Sequence, residues 1–164
     1  MSAEENKAVV RRLSEELWNT GNLASYDEII ADDYSAHDPN VPGGTLDKQG
    51  FRKWIQDVRV GFPDLHFTTE ALYADGDYVT WRYSIQGTHL GPYMGIQPTG
   101  KSGKPITGLS VIRVSGGKCH ESWQHWDGLG LLQELGVLPS MEQMLSAAAQ
   151  RPPQGPTPGA PMPH

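Results

Sequence analysis

The spacing of apolar residues in this chain changes once, from a helical period to a strand period, near Pro63. Just upstream of that point, Phe51, Trp54, Ile55 and Val58 follow the i, i+3, i+4, i+7 pattern of an amphipathic helix. Downstream, apolar and polar residues alternate with a period of two, which is typical of strands with one buried face. Helices followed by a run of strands predict an α+β fold with the helices packed on one face of a sheet.

Capping and helix-breaking residues set the bounds of the predicted helices. Residues 2–5 have the form of a capping box, and Gly21 is a natural stop for the helix that follows. The Pro and Gly residues of 39–44 forbid regular structure, so His37 and Asp38 are expected on a loop or a very short strand. The predicted helices cover about residues 3–19, 23–31, 45–61, 129–135 and 140–149.

Four long strands are predicted in the alternating region. Asp75-Gly76 and Gly116-Gly117 offer the positive φ of tight hairpins, so consecutive strands should be antiparallel neighbours. A Gly/Pro-rich segment from Thr88 to Pro105 separates the two hairpins. The predicted strands cover about residues 65–73, 79–86, 106–114 and 118–126. A curved antiparallel sheet of such strands, covered by N-terminal helices, encloses a cone-shaped cavity that suits a small molecule.

The chain has 164 residues, which suits one domain, but its composition changes near the end. Residues 150–164 contain six Pro and two Gly and hardly any residue that could form a core. We therefore expect an α+β domain over residues 1–149 and a disordered Pro-rich tail over residues 150–164.

Charge and hydropathy exclude two classes of partner. The formal net charge is −6 and no Lys/Arg cluster is longer than Arg11-Arg12, so no nucleic-acid partner is expected. No apolar run approaches the ~18 to 20 residues that cross a bilayer, and the acidic N-terminal sequence does not resemble a signal peptide. Cys119, the single cysteine, fits a reducing compartment. The sequence predicts a cytoplasmic protein with no membrane partner.

The sequence offers no pattern for a metal or a nucleotide cofactor. The six histidines are scattered over separate elements, without an HxxxH or CxxC spacing. The Gly-rich segment 91–103 lacks the strand-to-helix context and the Gly-Lys-Ser/Thr ending of a phosphate-binding loop. We therefore expect neither a metal nor a cofactor.

The last predicted strand carries the strongest candidate for a general base. Strict alternation sends Cys119, Glu121, Trp123, His125 and Asp127 to one face, which we expect to face the cavity. Removing a proton α to a carbonyl requires a carboxylate shielded from water, and Trp123 beside Asp127 could provide that shielding. Asp127 also precedes a predicted helix, so it could be that helix's N-cap. The two roles are compatible because a carboxylate has two oxygens.

Three histidines and one arginine could assist such a base. His37 and His89 lie on predicted loops that should border the mouth of the cone, and either could donate a hydrogen bond to a developing enolate or orient the carboxylate. His125 shares the predicted face of Asp127. Arg82 could supply positive charge for an oxyanion, although an arginine on the polar face of a strand is more often a surface residue.

A set of aromatic and aliphatic residues would shape the cavity for a planar or polycyclic hydrophobic ligand. The predicted substrate-binding residues are Tyr34, Trp54, Arg82, Tyr83, Met94, Ile96 and Trp123.

An ordered series of short segments carries a family resemblance. These segments are 26–34, His37-Asp38-Pro39, Phe62-Pro63-Asp64-Leu65, Gly87-Thr88-His89, 95–101 and 116–123, followed by Asp127 and Leu131-Leu132-Gln133-Glu134-Leu135-Gly136. In this order and spacing they resemble the SnoaL-like polyketide cyclases over about residues 1–136.

The resemblance implies a ketosteroid-isomerase-like α+β cone that works without a cofactor. It implies ring closure by intramolecular aldol condensation, with Asp127 at the position of the acid/base residue, on a small hydrophobic polyketide-like or carbonyl compound. A hydrolase or dehydratase on the same scaffold, or a non-catalytic ligand-binding module, are the alternatives. The resemblance also implies a homodimer through the exposed sheet face, where we expect Tyr78, Ile112 and Trp126 to add apolar area.

Overall fold

The computed structural model describes residues 1–152 and contains five α-helices and one six-stranded sheet. The helices are α1 (Ala3–Arg12), α2 (Tyr26–Ile29), α3 (Lys48–Gly61), α4 (Gly128–Glu134) and α5 (Met141–Ala149). The strands are β1 (Ile30–His37), β2 (Thr45–Asp47), β3 (His66–Asp75), β4 (Tyr78–Gln86), β5 (Ile106–Ser115) and β6 (Lys118–Trp126). The predicted α+β class is confirmed.

The N-terminal helix begins at the predicted capping box. The Ser2 hydroxyl accepts from the Glu5 backbone N–H at 3.1 Å, and the Glu5 carboxylate accepts from the Ser2 backbone N–H at 2.6 Å. After α1 the chain continues through a wider π-helical stretch, Leu13–Asn19, so the predicted helix over residues 3–19 is present with a change of pitch. Leu17 and Trp18 of this stretch are buried against the sheet.

The sheet has the order β2-β1-β6-β5-β4-β3. The four predicted long strands, β3 to β6, are antiparallel neighbours as expected, whereas β1 pairs with β6 in parallel. The expectation of a loop around His37 was wrong, because β1 has eight residues and ends there. The third helix begins at Lys48 rather than near Thr45, since residues 45–47 pair with β1 and Asp47 caps the helix.

Two β-bulges reverse the direction of side chains partway along their strands. In β3, Thr69 pairs with Tyr83 and Ala71 with Arg82, so Glu70 is an extra residue. Leu72 and Ala74 therefore face the core, whereas Ala71 and Tyr73 face the opposite side.

The bulge in β6 matters more for function. Arg113 pairs with Glu121 and Val114 with Cys119, which leaves His120 as the extra residue. Cys119 is inward as predicted, but beyond the bulge Ser122, Gln124 and Trp126 face the helices. Glu121, Trp123 and His125 share the other face with their β5 partners Arg113, Val111 and Leu109.

The helices cover only one side of the sheet, which we call the concave face; the opposite side is the convex face. Aromatic rings fill the space beneath the helices, with Phe51 of α3 lying 5.0 Å from Tyr34 and 6.0 Å from Trp18, measured between ring centroids. Trp18 lies 4.9 Å from Phe67 of β3. These contacts join the π-helical stretch, α3, β1 and β3 into one core.

The C-terminal helices end near their predicted bounds. Asp127 and Ser140 are the N-caps of α4 and α5, and α5 ends at Ala149. Most of the predicted disordered tail, residues 153–164, lies outside the described residues. Within residues 1–152, no helix is both long enough and apolar enough to cross a bilayer.

Candidate active site

A cavity lies between the concave face of the sheet and the helices. About 90 Å³ of it is open to the centres of water-sized molecules. Its walls are mostly aromatic, and they include Trp18, Phe51, Trp54, Phe67, Trp81 and Trp126. Such a lining favours a flat apolar ligand, because aromatic faces bury a large area of a ring system.

The floor of the cavity carries two short chains of uncharged polar groups. The hydroxyls of Tyr34 and Ser122 are 2.7 Å apart, and the Gln124 amide N–H donates to Ser122 Oγ at 3.2 Å. The hydroxyls of Tyr83 and Ser110 are 3.3 Å apart, and Ser110 pairs with Gln124 across β5 and β6. We call these five residues the neutral floor. It can donate hydrogen bonds to a ligand oxygen without placing a cation in the cavity.

Burial keeps the phenols of the cavity protonated. Desolvation raises the pKa of Tyr83 to about 12, and it raises the pKa of Tyr34 well above its usual range despite the hydrogen bond with Ser122. Burial likewise raises the pKa of Tyr93. At neutral pH these three side chains therefore remain neutral O–H groups that can donate to a ligand.

Asp38 is a buried carboxylate behind the cavity wall. It directly follows β1 and only 2% of its surface is exposed. Its Oδ2 accepts from the indole N–H of Trp126 at 2.9 Å, and its Oδ1 accepts from the Asn40 backbone N–H at 2.9 Å. Trp126 lines the cavity, so Asp38 is one hydrogen bond away from a cavity-lining ring.

The mouth of the cavity is the charged part of its lining. Lys104 and Glu134 lie there, and the Glu134 carboxylate accepts from the Lys104 backbone N–H at 2.9 Å. This bond joins the segment between β4 and β5 to α4. Among the described residues, the lining contains no histidine and no aspartate.

The segment between β4 and β5 sends Tyr93, rather than Met94, into the cavity. Tyr93 and Ile96 exchange two backbone hydrogen bonds, of 3.0 and 2.8 Å, around a tight turn. Met94 occupies that turn with a φ of +48° and is 49% exposed, while Tyr93 is buried and lines the cavity. The predicted substrate-binding residues Met94 and Ile96 are not part of the lining.

Of the other predicted substrate-binding residues, Tyr34, Trp54 and Tyr83 line the cavity. Arg82 lies on the convex face. Trp123 also lies there, because the bulge at His120 reverses its direction. The prediction that Trp123 faces the cavity was therefore wrong.

Asp127 occupies the position predicted for the base, but the structure shows its capping role. Its Oδ1 accepts from the Gly130 backbone N–H at 2.8 Å at the start of α4. The Asp127 side chain is exposed and is not part of the cavity lining. Its neighbour Trp126 does line the cavity. Trp123 and Asp127 therefore do not meet at the cavity as predicted.

The predicted histidines are not part of the cavity lining either. His37 is on the convex face, where Nε2 is 2.9 Å from Glu121 Oε1 and the ring stacks on Trp123 with 5.5 Å between centroids. His125 lies exposed on the same face. The bulge in β6 reverses the predicted direction of His125, and β1 carries His37 outward.

His89 is fully buried beside the cavity wall. Its ring stacks on Phe62, which lines the cavity, with 5.2 Å between centroids. Its Nδ1 accepts from the Thr99 backbone N–H at 3.2 Å, so Nε2 carries the proton of the neutral ring. Nε2 itself has no partner among residues 1–152. His89 thus anchors the segment between β4 and β5 from inside.

Sequence reasoning missed Asp38, Ser110, Ser122, Gln124 and Trp126. Two of them carried a usable signal. Ser110 stands on the same face as the apolar residues of β5, where no bulge precedes it. The alternation through Tyr34 and Ala36 places Asp38 next on the inward face. Ser122, Gln124 and Trp126 could not be found, because strict alternation assigns them to the outside.

No group of three or more His, Cys, Asp or Glu side chains in the described part of the chain is arranged to hold a metal ion. Cys119 is fully buried, and this burial raises the pKa of its thiol to about 12. A neutral, inaccessible thiol is a poor nucleophile, so Cys119 acts as a core residue.

Comparison with solved structures supports the fold. IdmH from Streptomyces antibioticus, a candidate polyketide cyclase, is 32% identical over 80% of this chain and 99% of its own, with a TM-score of 0.71. A candidate polyketide cyclase from Acidithiobacillus ferrooxidans is 31% identical over 84% and 99%, with a TM-score of 0.71. AclR from Streptomyces galilaeus, a candidate hydroxylase, is 27% identical over 91% and 92%, with a TM-score of 0.76. No curated protein matches.

The family comparison covers most of the chain. The model of the SnoaL-like polyketide cyclases matches residues 8–135, which include every strand of the sheet and all residues of the neutral floor. The segments singled out in the sequence lie within this match, apart from the last residue, Gly136. The chain therefore belongs to the SnoaL-like polyketide cyclase family.

Proposed function

We propose that the protein is a cofactor-independent cyclase or isomerase that moves a proton α to a carbonyl in a small hydrophobic, polyketide-like compound. The observation that carries this proposal is the cavity itself: aromatic walls around a floor of uncharged donors. The walls would bury the ring system of the substrate, and the floor would bind its carbonyl oxygen.

The neutral floor suits an enolate because its donors are already in place. When a base removes an α-proton, negative charge develops on the carbonyl oxygen. The hydroxyls of Tyr34 and Tyr83 stay protonated, since burial raises the pKa of both phenols, and the Gln124 amide offers further donors. Fixed donors in an apolar, aromatic cavity are worth more than the same groups in solution, so the enolate would be stabilised relative to the ketone.

The reaction needs no redox partner. The enolate carbon attacks a second carbonyl carbon, a C–C bond forms, and the new alkoxide takes back the proton that the base had removed. If no second carbonyl is in reach, the proton returns to carbon and the result is isomerisation or exchange. A carboxylate is the natural acid/base; the role of Asp127 stays a prediction from the family resemblance.

Deuterium exchange tests this function. 2-Tetralone, a bicyclic ketone with acidic α-hydrogens, is incubated with the protein in D₂O and followed by NMR. We expect exchange well above the rate in buffer, and a Tyr34→Phe/Gln124→Ala double variant should lose at least ~10²-fold of it, because two donors to the enolate are gone. Wild-type exchange equal to buffer would contradict the proposal.

A non-catalytic binding module is the second candidate. It is favoured by one observation: Asp127 caps α4 and is exposed rather than lining the cavity. Such a module would still bind 2-tetralone, which calorimetry would detect. The exchange rate of the bound ketone would stay at the buffer value.

We also propose that the protein forms a homodimer through its convex face. Of the three residues expected there, Tyr78 is exposed, whereas Ile112 and Trp126 line the cavity and were assigned to the wrong face. Leu109 and Val111 take their place beside Trp123. An uncovered apolar sheet face of this kind favours association. Equilibrium sedimentation in buffer should give twice 18.0 kDa. A cytoplasmic location stays a prediction.

A further inference from the structure

Tyr93 is a buried tyrosine whose hydroxyl has no hydrogen-bond partner among the described residues. The other buried tyrosines are paired. The Tyr26 hydroxyl donates to the Lys48 carbonyl at 2.6 Å, and the hydroxyls of Tyr34 and Tyr83 pair with serines of the neutral floor. A buried hydroxyl without a partner gives up its hydrogen bonds to water with no compensation. Such a group is expected where a ligand supplies the missing partner.

The Tyr93 hydroxyl borders open space inside the protein. In the described part of the chain, the fully enclosed side-chain atoms that lack a partner are Asn6 Oδ1 and His89 Nε2, and the Tyr93 oxygen is not one of them. Only 4% of Tyr93 is exposed, and it lines the cavity. The charge of Asp38 adds to burial in raising the pKa of both Tyr93 and Tyr83, so the two phenol oxygens lie near the same carboxylate. The Tyr93 hydroxyl is therefore available to a ligand in the cavity.

Packing fixes the Tyr93 ring before any ligand binds. Its centroid lies 5.4 Å from that of Phe62, in an edge-to-face contact, and 6.0 Å from that of Trp54. Two backbone N–H groups just before it donate to the Gly61 carbonyl at 2.9 and 3.1 Å, which attaches the segment between β4 and β5 to the end of α3. A Cβ added to Gly61 would lie 3.0 Å from the Tyr93 Cβ, so the close approach favours glycine. A donor that is already held in place loses little entropy when it binds a ligand.

We propose that Tyr93 is a specificity-determining residue whose hydroxyl binds a second oxygen of the ligand. The inference deepens the proposed function and rests on it for the first oxygen, the carbonyl bound at the neutral floor. The floor belongs to strands of the sheet, whereas Tyr93 belongs to the segment between β4 and β5, so the two oxygens bind at different walls. The substrate class is a ring system that carries a hydroxyl or a second carbonyl in addition to its reacting ketone. A ketone with a single oxygen leaves the Tyr93 hydroxyl unpaired.

Two indole N–H groups of the lining compete for this role. Trp81 and Trp126 already donate theirs to protein atoms, whereas Trp18 and Trp54 line the cavity and have no partner among residues 1–152. An indole can only donate, but a phenol hydroxyl donates and accepts, so it can match either a carbonyl or a hydroxyl of the ligand. Trp54 is also only partly buried, so water can reach it. Tyr93 therefore fits the second oxygen best.

A thermodynamic cycle between ligand and protein tests the assignment. 2-Tetralone and its four derivatives with one hydroxyl on the aromatic ring are titrated into wild type and Tyr93→Phe by calorimetry. We expect wild type to bind at least one derivative about fivefold or more tightly than 2-tetralone. Tyr93→Phe should lose this preference, because the ligand hydroxyl then meets a ring with no partner for it. The assignment is overturned if Tyr93→Phe keeps the wild-type preference, or if wild type prefers none of the derivatives.

Matched variants separate the hydroxyl from other causes. Tyr73→Phe makes the same chemical change at an exposed position on the convex side and should keep the wild-type preference. Trp54→Phe removes a competing N–H but keeps a ring, and it should also keep the preference. If Trp54→Phe loses the preference while Tyr93→Phe keeps it, the second oxygen binds at Trp54 and the assignment is wrong. Tyr93→Phe removes an unpartnered hydroxyl, so its Tm should not fall. A lower Tm with an unchanged preference would assign the hydroxyl a structural role.

Binding and exchange distinguish a failure of this assignment from a failure of the proposed function. Wild type that prefers a hydroxylated ketone but does not exchange its α-hydrogens contradicts the proposed function and supports the role of Tyr93. Exchange by wild type, together with an unchanged preference in Tyr93→Phe, contradicts only the role of Tyr93. Gly61→Ala keeps the hydroxyl but displaces the ring, so it should lower the preference by about threefold. If Tyr93→Phe does not fold, Gly61→Ala decides the question, and a preference equal to that of wild type then overturns the assignment.

Discussion

The concave and convex faces of this sheet are built from the same strands, yet they differ in almost every property. The concave face is covered by helices and lined with aromatic rings, and polar groups lie at the neutral floor and at the charged mouth of the cavity. The convex face is uncovered and mixes exposed apolar side chains such as Leu109 with the ionisable group of His37, Glu121 and Arg113. One face is suited to a small molecule and the other to a protein surface.

The difference shows that function on this fold depends on which face of the sheet each residue of a strand points to. Adjacent residues serve opposite faces, so Trp123 and Gln124 have unrelated roles although they are neighbours in sequence. The bulge at His120 decides which of them lines the cavity. A single extra residue thus exchanges the residues of the two faces beyond it.

The largest expected difference between the faces concerns stability. Phe51→Ala removes a fully buried ring from the centre of the aromatic core and should lower the free energy of unfolding by about 3–5 kcal/mol. Tyr73→Ala, on the convex side of β3, should cost about 1 kcal/mol or less. Urea unfolding followed by tryptophan fluorescence measures both. Equal losses would show that the convex face is buried as deeply as the core.

The next prediction concerns the proposed dimer. Leu109→Asp places two like charges in the convex interface and should raise the dimer Kd by about 100-fold or more, which is ~2.7 kcal/mol. The exposed Leu145 on α5 offers a matched variant, Leu145→Asp, which should leave the Kd unchanged. Sedimentation velocity over a concentration series measures both. A wild-type sample that stays at 18.0 kDa, or a Leu109→Asp dimer of normal Kd, contradicts the convex interface.

Much of the fold could be predicted because its signals are local. The capping box at Ser2, the Gly-containing hairpins and the change of hydrophobic period each act within a few residues. Together they specified α1, α3, α4, α5, the four long strands and their antiparallel pairing. The helix predicted over residues 23–31 was only partly right, because residues 23–25 form a 3₁₀ turn before the short α2 and residues 30–31 belong to β1. The parallel pairing of β1 with β6 joins residues about 85 positions apart, and no local signal announces it.

The site was harder to predict because it depends on bulges and on contacts between residues far apart in the sequence. Tyr34, Trp54 and Tyr83 were found because they are large aromatic residues that could shape a cavity, and all three line it. Bulges leave little trace in sequence, so Trp123 and His125 were placed inward and Gln124 was missed. The indole that binds Asp38 comes from Trp126, 88 positions along the chain on the neighbouring strand β6, so no local signal announces this contact.

Alkaline pH tests whether the cavity phenols stay buried. The pKa of Tyr83 is raised to about 12 in the folded protein, against ~10 in the unfolded chain. As pH rises through 10 to 12 the unfolded state loses this proton first, so the folded state is destabilised, by roughly 2–3 kcal/mol at the upper limit. Tyr34 and Tyr93 act in the same direction. Urea titrations at pH 8 to 11.5 should show this decline, and Tyr83→Phe should make it shallower. An unchanged slope in Tyr83→Phe would mean that solvent reaches the cavity floor.

The smallest expected effect concerns Asp127, which lies where the two faces meet at the end of β6. If its contribution to stability is the cap of α4, Asp127→Ala should lose about 1 kcal/mol, while Asp127→Asn should lose only a few tenths because an amide oxygen can accept from the Gly130 N–H. Comparing both variants by urea unfolding separates the cap from the charge. Equal losses in the two variants would show that the negative charge, and not the capping hydrogen bond, is what the fold uses.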